Sequence, residues 1–280
     1  MSAPLAGLRF SVAGAGRVGS SLARWAVASG AELAGIASRH PGRAAWPDGP
    51  QLVDLDDLDT GGQDLLLIAV GDGAMTEVAA RLARRPQARI ALHTSGSLDA
   101  SALAPLREAG SRTGSLHPLK AFPRPLPDPA EARGIFFAVD GDPEAQALAF
   151  RLAAAWEAVA AEVPADSRPL YHFAATLAAG GVTTLLAAAA EIAGKLGLPE
   201  AVVRGYLELA RGALAGAARA LDEGRPLGSA ITGPAARGDQ ATLDRHFEAL
   251  RTLAPEKLDL AEILVRETQR QTRISETEKN

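Results

Sequence analysis

The turn Gly14-Ala15-Gly16-Arg17-Val18-Gly19 limits what this chain can fold into more than any other stretch. It follows directly on a short apolar run, Arg9-Phe10-Ser11-Val12-Ala13, and opens a helical pattern. Each glycine has a use only where a strand turns straight into a helix. The first permits the tight turn, the second lets backbone approach a ligand, and the third lets helix pack closely on strand. A helix beginning there presents free N–H groups and the positive end of its dipole. The ligand such a turn suits is a pyrophosphate. The spacing alone is common; a strand before it and a helix after it make it specific.

The rest of the first half repeats the alternation. Ser20 to Ser29 carries Leu22, Trp25, Ala26 and Ser29 at helical spacing and stops at Gly30. Strands are expected at 32–37, 65–70, 89–93 and 134–139, and helices at 73–84, 99–109 and 143–160. Leu65 to Val70 is an unbroken apolar run, as in a central strand buried on both faces. The proline-rich stretch from Pro118 to Pro129 reads as a surface loop. Beyond Val163-Pro164-Ala165-Asp166-Ser167-Arg168-Pro169 no strand-like run follows. Helices are expected at about 170–195, 199–222, 239–252 and 255–274. The fold class is therefore α/β: an N-terminal Rossmann domain with a doubly wound parallel sheet, residues 1–162, then an all-α domain, residues 163–280.

The tip of the second strand speaks to the choice of dinucleotide. Domains that prefer NAD place Asp or Glu about 20 residues beyond the glycines, to hold the ribose 2′-hydroxyl. Here the tip reads Ala37-Ser38-Arg39-His40, and Glu32 stands at the far end of the strand. A hydroxyl followed by arginine suits a 2′-phosphate. The expectation is NADP(H) rather than NAD(H), held by Gly14, Gly16, Arg17, Val18, Gly19, Ser38 and Arg39. Loops at two further strand ends, Val70-Gly71-Asp72-Gly73 and His93-Thr94-Ser95-Gly96-Ser97, face the same crevice, so Gly71, Asp72, Ser95 and Gly96 join the set. Asp72 reads equally well as a cap on the helix that follows it.

Composition excludes several other classes. The chain has 280 residues, 47% apolar and 22% charged, with a net charge of -4 and no cysteine. It lacks the basic excess of a nucleic-acid binder, and it can build neither disulfides nor thiolate sites. The first residues do not read as a signal peptide, and a cytoplasmic location is expected. Pro169 to Ala190 carries no charged residue and is about long enough to span a bilayer. It is mostly alanine and includes His172, Thr176, Gly180, Gly181, Thr183 and Thr184. It reads as a buried helix of a soluble protein rather than a membrane span.

Candidate chemistry outside the glycine turn rests on histidine and arginine. His117, in Ser115-Leu116-His117-Pro118-Leu119-Lys120, ends a possible short strand and can orient a carbonyl or pass a proton. It can equally be a structural histidine, and Lys120 a surface lysine. His172, Thr176, Gly180 and Thr183 fall on one side of a helix, a thin polar stripe that fits either a cleft wall or a close helix contact. In Gly233-Pro234-Ala235-Ala236-Arg237-Gly238-Asp239, Asp239 reads as an N-cap. Arg237 stands free to hold an anionic substrate group with its fork, or pairs with Asp239 to stiffen the turn. No nucleophile elbow, metal-ligand spacing or paired carboxylates occur. Hydride transfer needs none of them, because the cofactor carries that chemistry. The catalytic candidates are His117, His172 and Arg237.

Four segments together resemble one family: the glycine turn, His117-Pro118-Leu119, Tyr171-His172-Phe173-Ala174-Ala175, and Gly233-Pro234 through Arg237-Gly238-Asp239 to His246. It is an uncharacterised bacterial family joining a Rossmann-like NADP oxidoreductase domain to a helical C-terminal domain of unknown function. The chain is more distantly similar to pyrroline-5-carboxylate reductase, prephenate dehydrogenase and the β-hydroxyacid dehydrogenases. The resemblance implies an NADP-type cofactor, a homodimer formed through the helical domain and an active cleft between domains. Gly180-Gly181 stands where a polar residue such as Asn would be expected. The interdomain-helix lysine of the β-hydroxyacid dehydrogenases has no counterpart before Lys195, so their mechanism does not carry over. The expected activity is an NADP(H)-dependent oxidoreductase acting on a small carbonyl, imine or hydroxy compound. A non-catalytic NADP(H)-binding sensor or scaffold would keep the same glycine turn.

Overall fold

A computed structural model describes residues 3–47 and 49–277. Five strands, β1 (Arg9–Ala13), β2 (Glu32–Ala37), β3 (Leu65–Ile68), β4 (Ile90–His93) and β5 (Arg112–Pro118), run parallel to one another. Helices α1 (Arg17–Ala28), α2 (Met75–Leu82) and α3 (Ala104–Glu108) lie between them in the chain, and α4 (Pro143–Ala155) follows later. The sheet has seven strands, because β6 (Phe136–Gly141) and β7 (Val159–Glu162) extend it to the order β2-β1-β3-β4-β5-β6-β7.

Two expectations about this sheet are corrected. It is mostly rather than wholly parallel, since β6 runs antiparallel to β5. The connection between them is the proline-rich loop with one short 3₁₀ turn, Pro129–Ala132. Without a crossover helix, the chain returns along the neighbouring edge in the opposite direction. The helix expected to reach residue 160 stops at Ala155, and β7 follows it. The break lies at Trp156-Glu157, where Glu157 takes a left-handed φ of 53° and its carbonyl accepts the Gly134 N–H.

Alternate residues of the central strands feed opposite cores. Leu65, Leu67, Ile90 and Leu92 join Phe10, Val12, Trp25, Phe137 and Trp156 on one face. Leu66, Ile68 and Ala91 join Met75, Leu82, Leu103 and Leu106 on the other. Each such side chain contributes about 1.5–3 kcal/mol when fully buried. The sheet is thus fixed from both sides, and its strand ends become a rigid edge.

After β7 come α5 (Arg168–Thr176), a π-helical turn (Leu177–Gly181) and α6 (Val182–Lys195). The chain divides into two compact units inside this stretch, between Ala178 and Ala179. The composition shift near 162 coincides with the end of β7. The π turn also alters the polar stripe. One extra residue rotates everything after it, so His172, Thr176, Gly180 and Thr183 do not keep a single helical register. The hydroxyls of Thr176 and Thr183 donate to the His172 and Ala179 carbonyls, which satisfies them within the helix.

The second unit holds α6, α7 (Glu200–Asp222), α8 (Pro234–Arg237), α9 (Gln240–Leu253) and α10 (Leu258–Thr277). The stretch Ala165–Lys195, 31 residues, is long and apolar enough to cross a membrane by length and composition, and none of its most apolar window is buried. The expectation of a buried helix is therefore corrected. α6 packs on α7, and a helix apolar all round needs cover on every side. The start of the stretch is unsuited to lipid, because Arg168 is tied by ion pair and hydrogen bonds to the sheet.

Candidate functional site

The glycine turn has the geometry its sequence demands. Gly14 sits at φ 112°, and a Cβ there would stand 2.4 Å from the Ala69 carbonyl oxygen. Its N–H and that of Ala15 donate to the Ala37 carbonyl at 3.0 and 3.1 Å, tying the turn to the end of β2. A Cβ on Gly19 would lie 2.0 Å from the Gly14 carbonyl oxygen, so α1 rests directly on the turn. Gly16 is different, since a Cβ there would meet nothing. Gly16 is also the N-cap of α1, with no side chain capping it and no acid in the first turn. Arg17 is exposed and Val18 half-buried beside this opening. An open space facing uncapped helix N–H groups, at the point where the strand order reverses between β1 and β3, fits a pyrophosphate.

At the tip of β2, Ser38 is half-buried and Arg39 exposed. The Ser38 hydroxyl accepts the His40 N–H at 3.2 Å, which curls the tip. Gly71 and Asp72 follow β3 and are exposed. The capping role considered for Asp72 is not the one it has: Gly71 is the N-cap, and Asp72 accepts the Ser97 hydroxyl at 2.7 Å. It links the β3 and β4 loops. Ser95 is buried and its hydroxyl accepts the Ser97 and Leu98 N–H groups at 3.2 and 3.0 Å.

Gly96 is packed against imidazoles. A Cβ on it would lie 2.4 Å from His172 Nδ1 and 2.7 Å from His117 Nε2. The loop after β4, the end of β5 and the second turn of α5 therefore meet at one place. His117 Nδ1 and the Tyr171 hydroxyl share a hydrogen bond at 3.0 Å, and the His117 ring stands edge-on to Tyr171 and His172, at 5.6 and 5.7 Å. Burial pushes His117 down to about 4, helped by neighbouring His172 and Arg168. It is neutral at neutral pH and able to take a proton. Burial pushes Tyr171 the other way, up from its usual range. His172 Nδ1 is buried without a protein partner.

Two supporting residues were invisible in the sequence. His93 is fully buried, also pushed down to about 4 by burial. Its Nδ1 accepts the Ser95 N–H at 3.2 Å, so the proton is on Nε2, which donates to the Asp99 carbonyl at 2.9 Å. Arg168 is fully buried as well. Its fork donates to the Ser95 and Leu98 carbonyls, both at 3.2 Å, and to the Ser115 hydroxyl. Its Nε lies 3.4 Å from Asp140 Oδ2 but is not aligned for a hydrogen bond. Asp140 accepts the Ala100 N–H at 2.9 Å.

Residues 3–118 match a family model described as a Rossmann-like domain, and residues 135–268 match one described as a domain of unknown function, DUF2520. The chain joins a Rossmann-like domain to a DUF2520 domain. The DUF2520 match begins at the edge of β6, so it takes in the last strands of the sheet, α5 with Tyr171 and His172, and the helices after Ala179.

Solved structures share this arrangement along nearly the whole chain. A protein from Bacteroides fragilis, assigned as an NADP oxidoreductase, has a TM-score of 0.75 at 20% identity, over 95% of this chain and 99% of that one. A protein from Thermotoga maritima has a TM-score of 0.71 at 21% identity, over 97% and 100%. Pyrroline carboxylate reductase from Plasmodium falciparum, with NADP bound, has a TM-score of 0.60 at 13% identity, over 95% and 98%. At these identities the likeness is one of fold. No curated protein matches the chain.

The remaining candidates lie elsewhere in the Rossmann–DUF2520 chain. Lys120 pairs with Glu131 at 3.6 Å. Arg237 is exposed at the end of α8, in the second unit. Asp239 accepts the Thr242 N–H at 3.1 Å, so it caps α9 as expected. His246 is exposed on α9.

Proposed function

We propose that this protein is an NADP(H)-dependent oxidoreductase that moves a hydride to or from a small carbonyl, imine or hydroxy compound. One observation carries the reading. The open Gly16 cradle and the His117–Tyr171–His172 cluster both stand on the carboxyl edge of a single sheet, where open α/β folds bind ligands. NADP bound to a neighbour of the same fold supports the choice of cofactor.

The residues have distinct tasks in this reading. The N–H groups of Arg17, Val18 and Gly19 hold the pyrophosphate. Ser38 and the free Arg39 hold the 2′-phosphate, and Gly71, Asp72, Ser95 and Gly96 border the dinucleotide. The cofactor supplies hydride chemistry. His117, neutral and hydrogen-bonded to Tyr171, orients the reacting group and takes or returns its proton. His172 lends its unpartnered nitrogen to the same group. Within the second unit, exposed Arg237 is the candidate holder of an anionic group.

Assembly is part of the proposal. Leu207, Leu209, Leu214 and Leu221 are exposed along α7. A second copy of the chain covers them, giving a homodimer through the helical domain. A monomer by sedimentation at tens of micromolar would remove that element.

The central test is a fluorescence titration with NADPH and NADH. NADPH should bind more tightly, and Arg39→Ala should erase most of the difference. Failure of both dinucleotides to bind overturns the reading. Binding without turnover across carbonyl, imine and alcohol panels would leave a sensor or scaffold in its place.

A further inference from the structure

Between β2 and the 3₁₀ turn Leu55–Asp57 the chain leaves the sheet edge and returns to it. The neck of this excursion is Val53. Its N–H donates to the Ile36 carbonyl at 3.1 Å and its carbonyl accepts the Ser38 N–H at 3.0 Å, so it bridges β2 in parallel at Ala37. Beyond the neck, residues 42–45 and 50–52 form antiparallel arms. The Gly42 N–H donates to the Leu52 carbonyl at 2.8 Å, the Leu52 N–H to the Arg43 carbonyl at 2.7 Å, and the Ala45 N–H to the Pro50 carbonyl at 2.9 Å. Only Arg39, His40 and Pro41 lie between the neck and the first arm. Arg39 thus sits on a short arc tied at both ends, and the bond from the His40 N–H to the Ser38 hydroxyl curls it further.

The far end of the hairpin is fastened to α1 through Trp46. That indole is half-buried and packs against the core that contains Leu22 and Trp25. The Arg24 guanidinium stands over its ring, 5.6 Å from the centroid, close enough for a cation to be drawn to an aromatic face. Gly49 is pressed onto the same indole. A Cβ there would lie 2.6 Å from Trp46 Nε1 and 2.7 Å from Cδ1 and Cε2, an approach that glycine alone permits. Its N–H also donates to the Trp46 carbonyl at 2.9 Å. Arg24 follows Arg17 by seven positions on α1, so both face the same side of that helix. The helix that opens at the Gly16 cradle therefore also anchors the hairpin that bounds the Arg39 arc.

We propose that Trp46 and Arg24 are positioning residues for cofactor choice: together they hold the hairpin on α1 and keep Arg39 ordered for a 2′-phosphate. This rests on the NADP(H) reading of the glycine turn and the β2 tip. The gain is pre-organisation. A long side chain on a loose loop gives up freedom when it grips a ligand, and one on an ordered arc gives up less. NADH has no 2′-phosphate, so loosening the arc weakens NADPH and spares NADH.

The test is calorimetric titration of the full chain with NADPH and NADH, read as the ratio of the two dissociation constants. The wild type should favour NADPH. Trp46→Ala and Arg24→Leu should each cut that preference about three- to tenfold, with NADH affinity held within about twofold. The effect should vanish in an Arg39→Ala background, because both residues act through Arg39. An unmoved ratio in the folded single variants overturns the proposal. So does an equal loss for both dinucleotides, which would mark general damage to the cradle, and so does an undiminished effect once Arg39 is gone. Should Trp46→Ala fail to fold, Arg24→Leu decides, since it removes the cation and leaves the indole in place. A wild type that binds neither dinucleotide sinks the oxidoreductase reading and this proposal together. A wild type that favours NADPH, with a ratio that neither variant moves, sinks this proposal alone.

Discussion

In the unit ending at Ala178, Arg168 lies fully buried against Asp140, two carbonyls and a serine hydroxyl. In the unit beginning at Ala179, Arg204, Arg211, Arg251 and Arg270 each reach a glutamate three or four residues back along their own helix, with both partners in water. The same residue type is doing two different things. A buried guanidinium loses its hydration and needs protein acceptors and a counter-charge in place of water, so it permits few arrangements of the chain around it. An exposed pair trades one set of weak contacts for another and specifies almost nothing. The first unit therefore carries a fixed polar site, and the second presents helices whose leucines still lack cover.

The sharpest way to break this contrast is Arg168→Met. Removing the cation leaves Asp140 buried without its partner and the Ser95 and Leu98 carbonyls short of a donor. Urea denaturation should show a loss of about 3–5 kcal/mol. A loss below about 1 kcal/mol would put Arg168 in the same class as the surface arginines.

Arg168 also shows where sequence reading stops. An arginine in a proline-flanked boundary segment looks solvated, and its partners lie on three strands and loops far away in the chain. Gly96 is similar: its spacing suggested cofactor contact, while its packing against two imidazoles is a tertiary fact. The glycine turn was legible because every requirement on it is local, from the tight turn at Gly14 to the close packing at Gly19. Strands β1 to β4 and β6 were legible from apolar runs and their alternation with helices, and β5 only as a possible short strand ending at His117. The last, β7, was not. Val159-Ala160-Ala161-Glu162 is short, largely exposed and continuous with an alanine-rich helix, so no periodicity separates it. The exposed face of α6 was misjudged for another reason. Apolar composition predicts that a helix will be covered, without saying by what.

Acid should expose the next largest difference. His93 and His117 ionise near 4 in the folded protein against 6.5 ordinarily. The unfolded chain therefore takes protons first as pH falls. Stability contributed by the two neutral rings is complete above about pH 6.5, is lost between about 6.5 and 4, and levels off below that. The combined loss is on the order of a few kcal/mol. His93→Gln should flatten that slope in a pH series of denaturation curves. No change between pH 7 and 5 would mean the imidazoles are not held neutral.

The glycines sharpen the comparison within the first unit. Gly19→Ala places a Cβ against backbone and should cost about 1–3 kcal/mol of stability along with nucleotide binding. Gly16→Ala meets nothing in the protein. It should lower the melting temperature far less than Gly19→Ala does, by no more than the small difference between Gly and Ala at an N-cap, and weaken NADPH binding. Equal losses of stability in the two variants would show that Gly16 packs against protein rather than facing a ligand.

The smallest effect belongs to the second unit. Arg211→Ala removes one side of the Glu208 pair on α7, with both side chains largely in water. Screening by solvent and the entropy of two long side chains offset most of the attraction. The melting temperature should move by no more than about one or two degrees. A larger shift, especially one that grows as the protein is diluted, would mean that this face of α7 is not free in solution. Arg211 would then belong to the interface with a second copy, and its local pair with Glu208 would describe only the isolated chain.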